Sequence, residues 1–345
     1  MDALETITSS FDHAREASAP LDTGWGELDE HLGGGFRDGL YTLTGEPKCG
    51  KTALAVYLQL MAALSRTGEY SYYSLELPAE HITARMLSAI SYEAEGLEPF
   101  SWTEYDSLRR DLRDADKRAG SPLVAAYRVL KEALERNEAS IEVEDPRRQP
   151  SGMLALFDNG AWEACGDGYW KSEYLDHGRP KYYDVKGLPL HESDIESLLG
   201  NDPSGETGSD AADWGINSDL TVIDYMQLLG VAELGEDADV YRKTNKVVGY
   251  LAQADSPILA ISEQNRTALR STAKDGGRYG ASGSGRIEYA ANAALRLALR
   301  KDEGDRGRIV EFYVDLSRYG APTGNNPILL RYLPQYNVFA PLDEG

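Results

Sequence analysis

Residues 45–52 read Gly-Glu-Pro-Lys-Cys-Gly-Lys-Thr, a complete G-x-x-x-x-G-K-[ST] pattern. A loop of this kind wraps a polyphosphate with backbone N–H groups at the start of a helix. Gly45, Glu46, Pro47, Lys48, Cys49, Gly50, Lys51 and Thr52 are therefore the expected nucleotide-binding loop. Lys51 would reach the terminal phosphates and the Thr52 hydroxyl would hold Mg²⁺. Two carboxylates complete the candidate chemistry. Val222-Ile223-Asp224 ends an apolar run with an aspartate that can hold the water shell of the same cation. Glu76 follows Tyr72-Tyr73-Ser74-Leu75, and a carboxylate there can polarise an attacking water. The expected ligands are a nucleoside triphosphate and Mg²⁺, with Thr52 and Asp224 directed at the metal.

These groups need a sheet to align them. Leu40–Thr44 reads as a short strand and Ala53–Ser65 as a helix, the order that a phosphate loop requires. A second strand is expected from Tyr70 to Leu77, then a helix from about Glu80 to Glu93. Tyr105–Ala119 and Leu123–Arg136 read as helices, the latter with Leu123, Tyr127, Leu130 and Leu134 on one face. From Glu144 to Gly215 the chain turns rich in Gly, Asp, Tyr and Trp. Within it Ala155–Phe157 and Ala161–Glu163 flank Asp-Asn-Gly, a hairpin pattern. Regular alternation returns with strand Leu220–Asp224, helix Val240–Ala254 and strand Pro257–Ser262. Ala293–Arg300, Arg308–Leu316 and Pro327–Leu333 then follow as strands without helices between them. Near-continuous apolar strands alternating with helices predict a mainly parallel sheet covered on both faces. The last strands would form an antiparallel edge.

The 345 residues suffice for one large domain or two ordinary ones. The longest apolar run, Leu54–Leu64, falls well short of the ~20 residues that cross a bilayer, so no membrane association is expected. Two cysteines, Cys49 and Cys165, give neither a disulfide framework nor metal-ligand spacing, which fits a cytoplasmic location. The net charge is −22, yet residues 219–345 hold 15 Lys and Arg against 17 Asp and Glu. An acidic chain is a poor nucleic-acid binder on average; this nearly neutral third is where such binding would have to reside. Arginine outnumbers lysine 24 to 11, and an acidic, lysine-poor surface suits solubility in high salt.

An ordered set of motifs extends the reading. Thr23-Gly24-Trp25-Gly26-Glu27-Leu28-Asp29 and Gly33-Gly34-Gly35 precede the loop, and Ser74-Leu75-Glu76 and Asp224-Tyr225-Met226-Gln227-Leu228 follow it. Further on come Ile261–Arg266, Ser284–Glu288, Ser317-Arg318-Tyr319-Gly320, Pro322-Thr323-Gly324 and Leu333–Tyr336. Together they resemble the DnaB-type replicative helicase motor of the RecA-like superfamily, over about 21–95 and 216–340. The resemblance implies a RecA-like ATPase domain over 21–345, preceded by a lead-in at 1–20 and interrupted by an inserted subdomain at about 96–216. It implies an ATP-dependent helicase or translocase working on single-stranded DNA as a homo-oligomeric, hexameric ring. Lys51, Glu76 and Arg318 match catalytic positions, Arg318 being one that reaches the triphosphate of the neighbouring subunit. Asp224 matches the Mg²⁺-associated carboxylate, and Glu263 falls where the family has a glutamine facing the phosphates. Leu316 replaces a usual lysine, and Ser282-Gly283 replaces an arginine–acid pair. These departures keep two other readings open: a RecA-like recombination or regulatory ATPase, and a loader-type partner with slow hydrolysis.

Arg266, Arg270, Lys274, Arg278 and Arg286 share a glycine-rich stretch in which Asp275 is the one acid before Glu288. Such a basic loop can track phosphates without reading sequence. In the middle segment Trp162, Tyr169, Trp170, Tyr174, Tyr182 and Tyr183 read as core of the insertion, and His177 and His191 as surface residues.

Overall fold

The computed structural model describes residues 19–114, 117–118, 120–144, 162–164, 170–176, 179–183, 218–229, 240–262 and 290–342. Residues 1–18 of the expected lead-in at 1–20, Tyr169, His177, His191, Glu263 and the five basic residues of the 266–286 loop lie outside them.

Most of the described chain is organised by one nine-stranded sheet. Its parallel part holds β1 (Gly39–Gly45), β2 (Gly68–Ser74), β3 (Ala139–Glu144), β7 (Leu220–Asp224), β8 (Pro257–Ile261) and β9 (Ala293–Asp302). β10 (Arg308–Ser317), β11 (Ile328–Leu333) and β12 (Val338–Pro341) extend β9 in antiparallel fashion. The spatial order is β12-β11-β10-β9-β1-β8-β7-β2-β3. Strand β1 thus sits in the middle, and all seven of its residues are buried. A separate three-stranded antiparallel sheet joins β4 (Trp162–Ala164), β5 (Trp170–Asp176) and β6 (Arg179–Tyr183).

The two faces of the large sheet carry different covers, as the sequence leads one to expect. One face packs under α1 (Gly26–Leu32), α2 (Lys51–Ser65), α3 (Ala79–Glu93) and α5 (Pro122–Arg136), around Leu43, Tyr72, Leu259, Leu295 and Phe312. Helix α2 is apolar nearly all round, because it lies on β1, β2, β7 and β8 and is flanked by α3 and α5. Tyr332 stacks on Phe339 with centroids 4.3 Å apart, and Tyr57 links Phe339 to Trp25, which ties β11 and β12 to α2 and α1. The opposite face packs under α6 (Val240–Leu251) around Leu40, Ile223, Val247, Val248 and Ile258.

Several boundaries depart from the sequence reading. The main sheet continues through Glu144, because β3 pairs in register with β2 from Gly68↔Ala139 to Tyr73↔Glu144. Residues 122–144 therefore belong to the main layers, and the chain leaves the sheet well after residue 96. Strand β2 ends at Ser74, three residues short of Leu77. Helix α4 (Tyr105–Asp111) is shorter than expected. On α5, Tyr127 is 55% exposed, and the buried positions are Leu123 and Ala126. The 162–164 strand pairs with 170–176, while the other arm of the expected hairpin, Ala155–Phe157, lies outside the described residues.

Candidate nucleotide site

The loop at 45–52 leaves the C-terminal end of β1 and enters α2 directly, as the sequence demands. Gly45 has φ 154° and Gly50 φ 107°, both in the region that favours glycine. A Cβ at Gly45 would run into the Leu297 carbonyl of neighbouring β9, so no other residue fits there. Lys48 holds φ 66°, and its carbonyl accepts from Arg308 Nη1 at 3.3 Å. The Cys49 side chain is buried, which pushes its thiol pKa up and leaves it a packing residue. Lys51 Nζ donates to the carbonyls of Gly45 (3.0 Å) and Glu46 (3.1 Å), so the ammonium is held across the loop.

Asp224 ends β7, two strands away from β1, and is 1% exposed. Its carboxylate is hydrogen-bonded by the Thr52 side chain and accepts from the Tyr72 hydroxyl at 3.0 Å. Burial raises its pKa, and these two hydrogen bonds draw it back down. The Asp224–Tyr225 peptide is cis. Glu76 lies just past β2, exposed at the same sheet edge; its own N–H and that of Leu75 donate to the Asp224 carbonyl at 3.3 and 2.7 Å. Two successive N–H groups of one turn thus close on the Asp224 carbonyl and hold Glu76 beside the end of β7.

The donor set fits a hard cation. Among the described residues no group of three or more His, Cys, Asp or Glu side chains converges on a metal. One hydroxyl and one carboxylate beside a phosphate loop suit Mg²⁺, which is usually held by one or two carboxylates with phosphate oxygens and waters.

Arg318 stands elsewhere. Its N–H donates to the Asn292 carbonyl, and the Asn292 N–H donates to that of Leu40, at the beginning of β1. The loop leaves the other end of that strand. With ~3.3 Å per residue and ~4.8 Å between strands, Arg318 lies about 16 Å along and about 10 Å across from Gly45. The guanidinium is exposed and cannot touch its own phosphate loop. Its turn is fixed by α1: a Cβ on Gly320 would overlap the His31 carbonyl, and one on Gly33 would overlap that of Tyr319. His31 Nδ1 donates to the Ala321 carbonyl at 2.6 Å, and Arg37 lies 5.2 Å from the centre of the Tyr319 ring.

Three contributions were not foreseen from the sequence. The Tyr72 hydroxyl joins the site because Ser74 pairs with Asp224, leaving Tyr72 diagonal to it on one face. Arg308 reaches the loop from β10. Asn337, fully buried at φ 58°, donates to the Ala53 carbonyl at 3.1 Å and accepts from Arg85 at 3.2 Å, joining the turn before β12 to the first turn of α2. An asparagine in a turn preceding a short strand was the available signal for the last.

Comparisons with known proteins agree with this geometry. The family described as DnaB-like helicase C terminal domain matches residues 20–97. A solved structure described as an ATPase domain superposes with a TM-score of 0.59 at 15% identity, covering 99% of each chain. Another, "The Structure Of A DnaB-Like Replicative Helicase And Its Interactions With Primase", gives 0.59 at 14% identity, covering 99% of this chain and 69% of that one. The resemblance to a DnaB-type motor domain is thus borne out over residues 20–97, and the fold is a mainly parallel α/β sheet with antiparallel C-terminal strands, shared with these two solved structures.

Proposed function

We propose that this chain is an ATP-hydrolysing motor of the DnaB type that moves along single-stranded DNA as a homo-oligomeric ring, hexameric by analogy, in the cytoplasm. One observation carries the reading. The loop, Asp224 and Glu76 gather at the C-terminal edge of the parallel strands, while Arg318 is fixed at the opposite edge of the same sheet. An arginine so placed completes a neighbour's site, where a guanidinium offsets charge on the transferring phosphoryl.

Within each site, Lys51 and the loop amides bind the phosphates, and Thr52 and Asp224 would hold Mg²⁺, which when bound would neutralise charge developing on the transferred phosphate. Glu76 takes the proton of the attacking water. Glu263 is assigned to the phosphate side, and Arg266, Arg270, Lys274, Arg278 and Arg286 to the DNA. The segment between β3 and β7 is the inserted subdomain.

The second reading, an ATP-binding assembly partner with slow turnover, is favoured by Leu316, half-buried on β10 where the family usually has lysine. A forked duplex separates the two. The motor displaces the annealed strand with ATP and fails to do so when Arg270, Lys274 and Arg278 are all neutralised. That variant should also lose single-strand affinity about equally for every sequence, with a shallower salt dependence. ATP turnover without displacement by the parent would favour the partner role.

A further inference from the structure

We infer that Tyr72 is a positioning residue for the metal site, holding the Asp224 carboxylate through its phenolic hydroxyl; this rests on the assignment of Asp224 to Mg²⁺. Tyr72 lies on β2 and is fully buried, next to β7 in the sheet. A buried phenol needs an acceptor, and here the acceptor is the carboxylate itself, at 3.0 Å. The neighbouring tyrosine on the same face, Tyr70, turns its hydroxyl to the backbone carbonyl of Ala62 at 3.2 Å. Both are satisfied, yet of the two it is Tyr72 that directs its donor at a group of the candidate site.

The geometry explains why a second donor is needed. Asp224 accepts from the side chains of Thr52 and Tyr72. Thr52 is itself a metal-facing group in this reading: its oxygen would offer a lone pair to the cation while its proton stays on the carboxylate, so this contact alone would let Asp224 shift with the cation. Tyr72 comes from the rigid interior of the sheet and keeps one carboxylate oxygen fixed throughout. The other oxygen is then presented in a constant direction to the water shell of the cation. Outer partners of this sort commonly change metal affinity 10- to 100-fold when removed.

The test is the affinity of Mn²⁺, as a spectroscopic stand-in for Mg²⁺, for the ADP-bound chain, measured by electron paramagnetic resonance. Tyr72→Phe should weaken Mn²⁺ about 10-fold or more, while affinity for ADP without metal stays at the parent value. In an Asp224→Asn background the same substitution should change Mn²⁺ affinity by less than about twofold, since the hydroxyl acts through the carboxylate. Unchanged Mn²⁺ affinity in Tyr72→Phe, or an equal loss in both backgrounds, overturns the inference. So does a Tyr72→Phe chain that fails to fold, because the hydroxyl would then be a requirement of the core. A parent that binds ADP but no Mn²⁺ overturns the metal site as well.

Discussion

The two edges of the central sheet are built on opposite plans. At the C-terminal edge the phosphate loop, Asp224, Tyr72 and Lys51 are tied together by hydrogen bonds, and the carboxylate is almost wholly buried. At the N-terminal edge the backbone around Arg318 is pinned by Gly33, Gly320 and His31, and Arg318 itself is exposed. The first edge is complete within one chain. The second fixes the backbone of an exposed arginine that, in the proposed function, serves a neighbouring subunit. Binding and turnover should therefore respond to different edges.

The sharpest break is between Lys51→Ala and Arg318→Ala. Lys51→Ala should abolish ATP binding, measured by calorimetry. Arg318→Ala should keep parent affinity and lose turnover by about 10³-fold or more, the usual scale for such an arginine. Mixed assemblies of the two variants should recover turnover, because some junctions then contain both intact halves. No recovery in assemblies shown to be mixed would make the two edges independent and the arginine structural.

Gly320→Ala tests whether the pinning matters. A Cβ there meets backbone atoms of His31 and Gly33, and neither can move without shifting α1. Turnover should fall on the order of 10²-fold, as for a misplacement of about 1 Å, and melting should drop by several degrees. Parent turnover in this variant would show that the turn around Arg318 tolerates displacement.

The smallest effect is electrostatic and lies beside the same edge. Asp29 on α1 accepts from the Thr23 N–H at 3.0 Å, and its pKa is pushed up to about 6, first by burial and further by Asp22. The folded state thus favours the protonated form. Its contribution is full below the ordinary value of 3.8 and is lost as pH rises to about 6. Asp29→Asn should melt a degree or two above the parent at pH 7, with the gap closing between about pH 6 and pH 4. A gap independent of pH would mean that Asp29 carries no such penalty.

How much of this was legible depended on whether local pattern or distant pairing decides the outcome. The phosphate loop and its flanking strand and helix are local, and their boundaries came close. Strand β3, Ala-Ser-Ile-Glu-Val-Glu, carries little apolar signal and sits at an edge, so only its pairing with β2 reveals it. Strand β12 is four residues long and ends in proline. On α5 a tyrosine at helical spacing pointed outward, because Ala126 fits closer to α3 and the longer ring does not have to be buried. Asp224, Thr52 and Glu76 were identifiable by type and position. Tyr72 was not, since its role depends on the strand order that makes β2 and β7 neighbours.

The Asn337 bridge has a consequence for how the molecule opens. Its amide holds the Ala53 carbonyl and the Arg85 guanidinium at once, so the turn before β12 cannot detach without loosening the start of α2. The last strand and the phosphate loop thus share one local unfolding step. If the loop binds nucleotide as proposed, its occupancy should slow hydrogen exchange at Val338 and Phe339, making the last strand a reporter of the site.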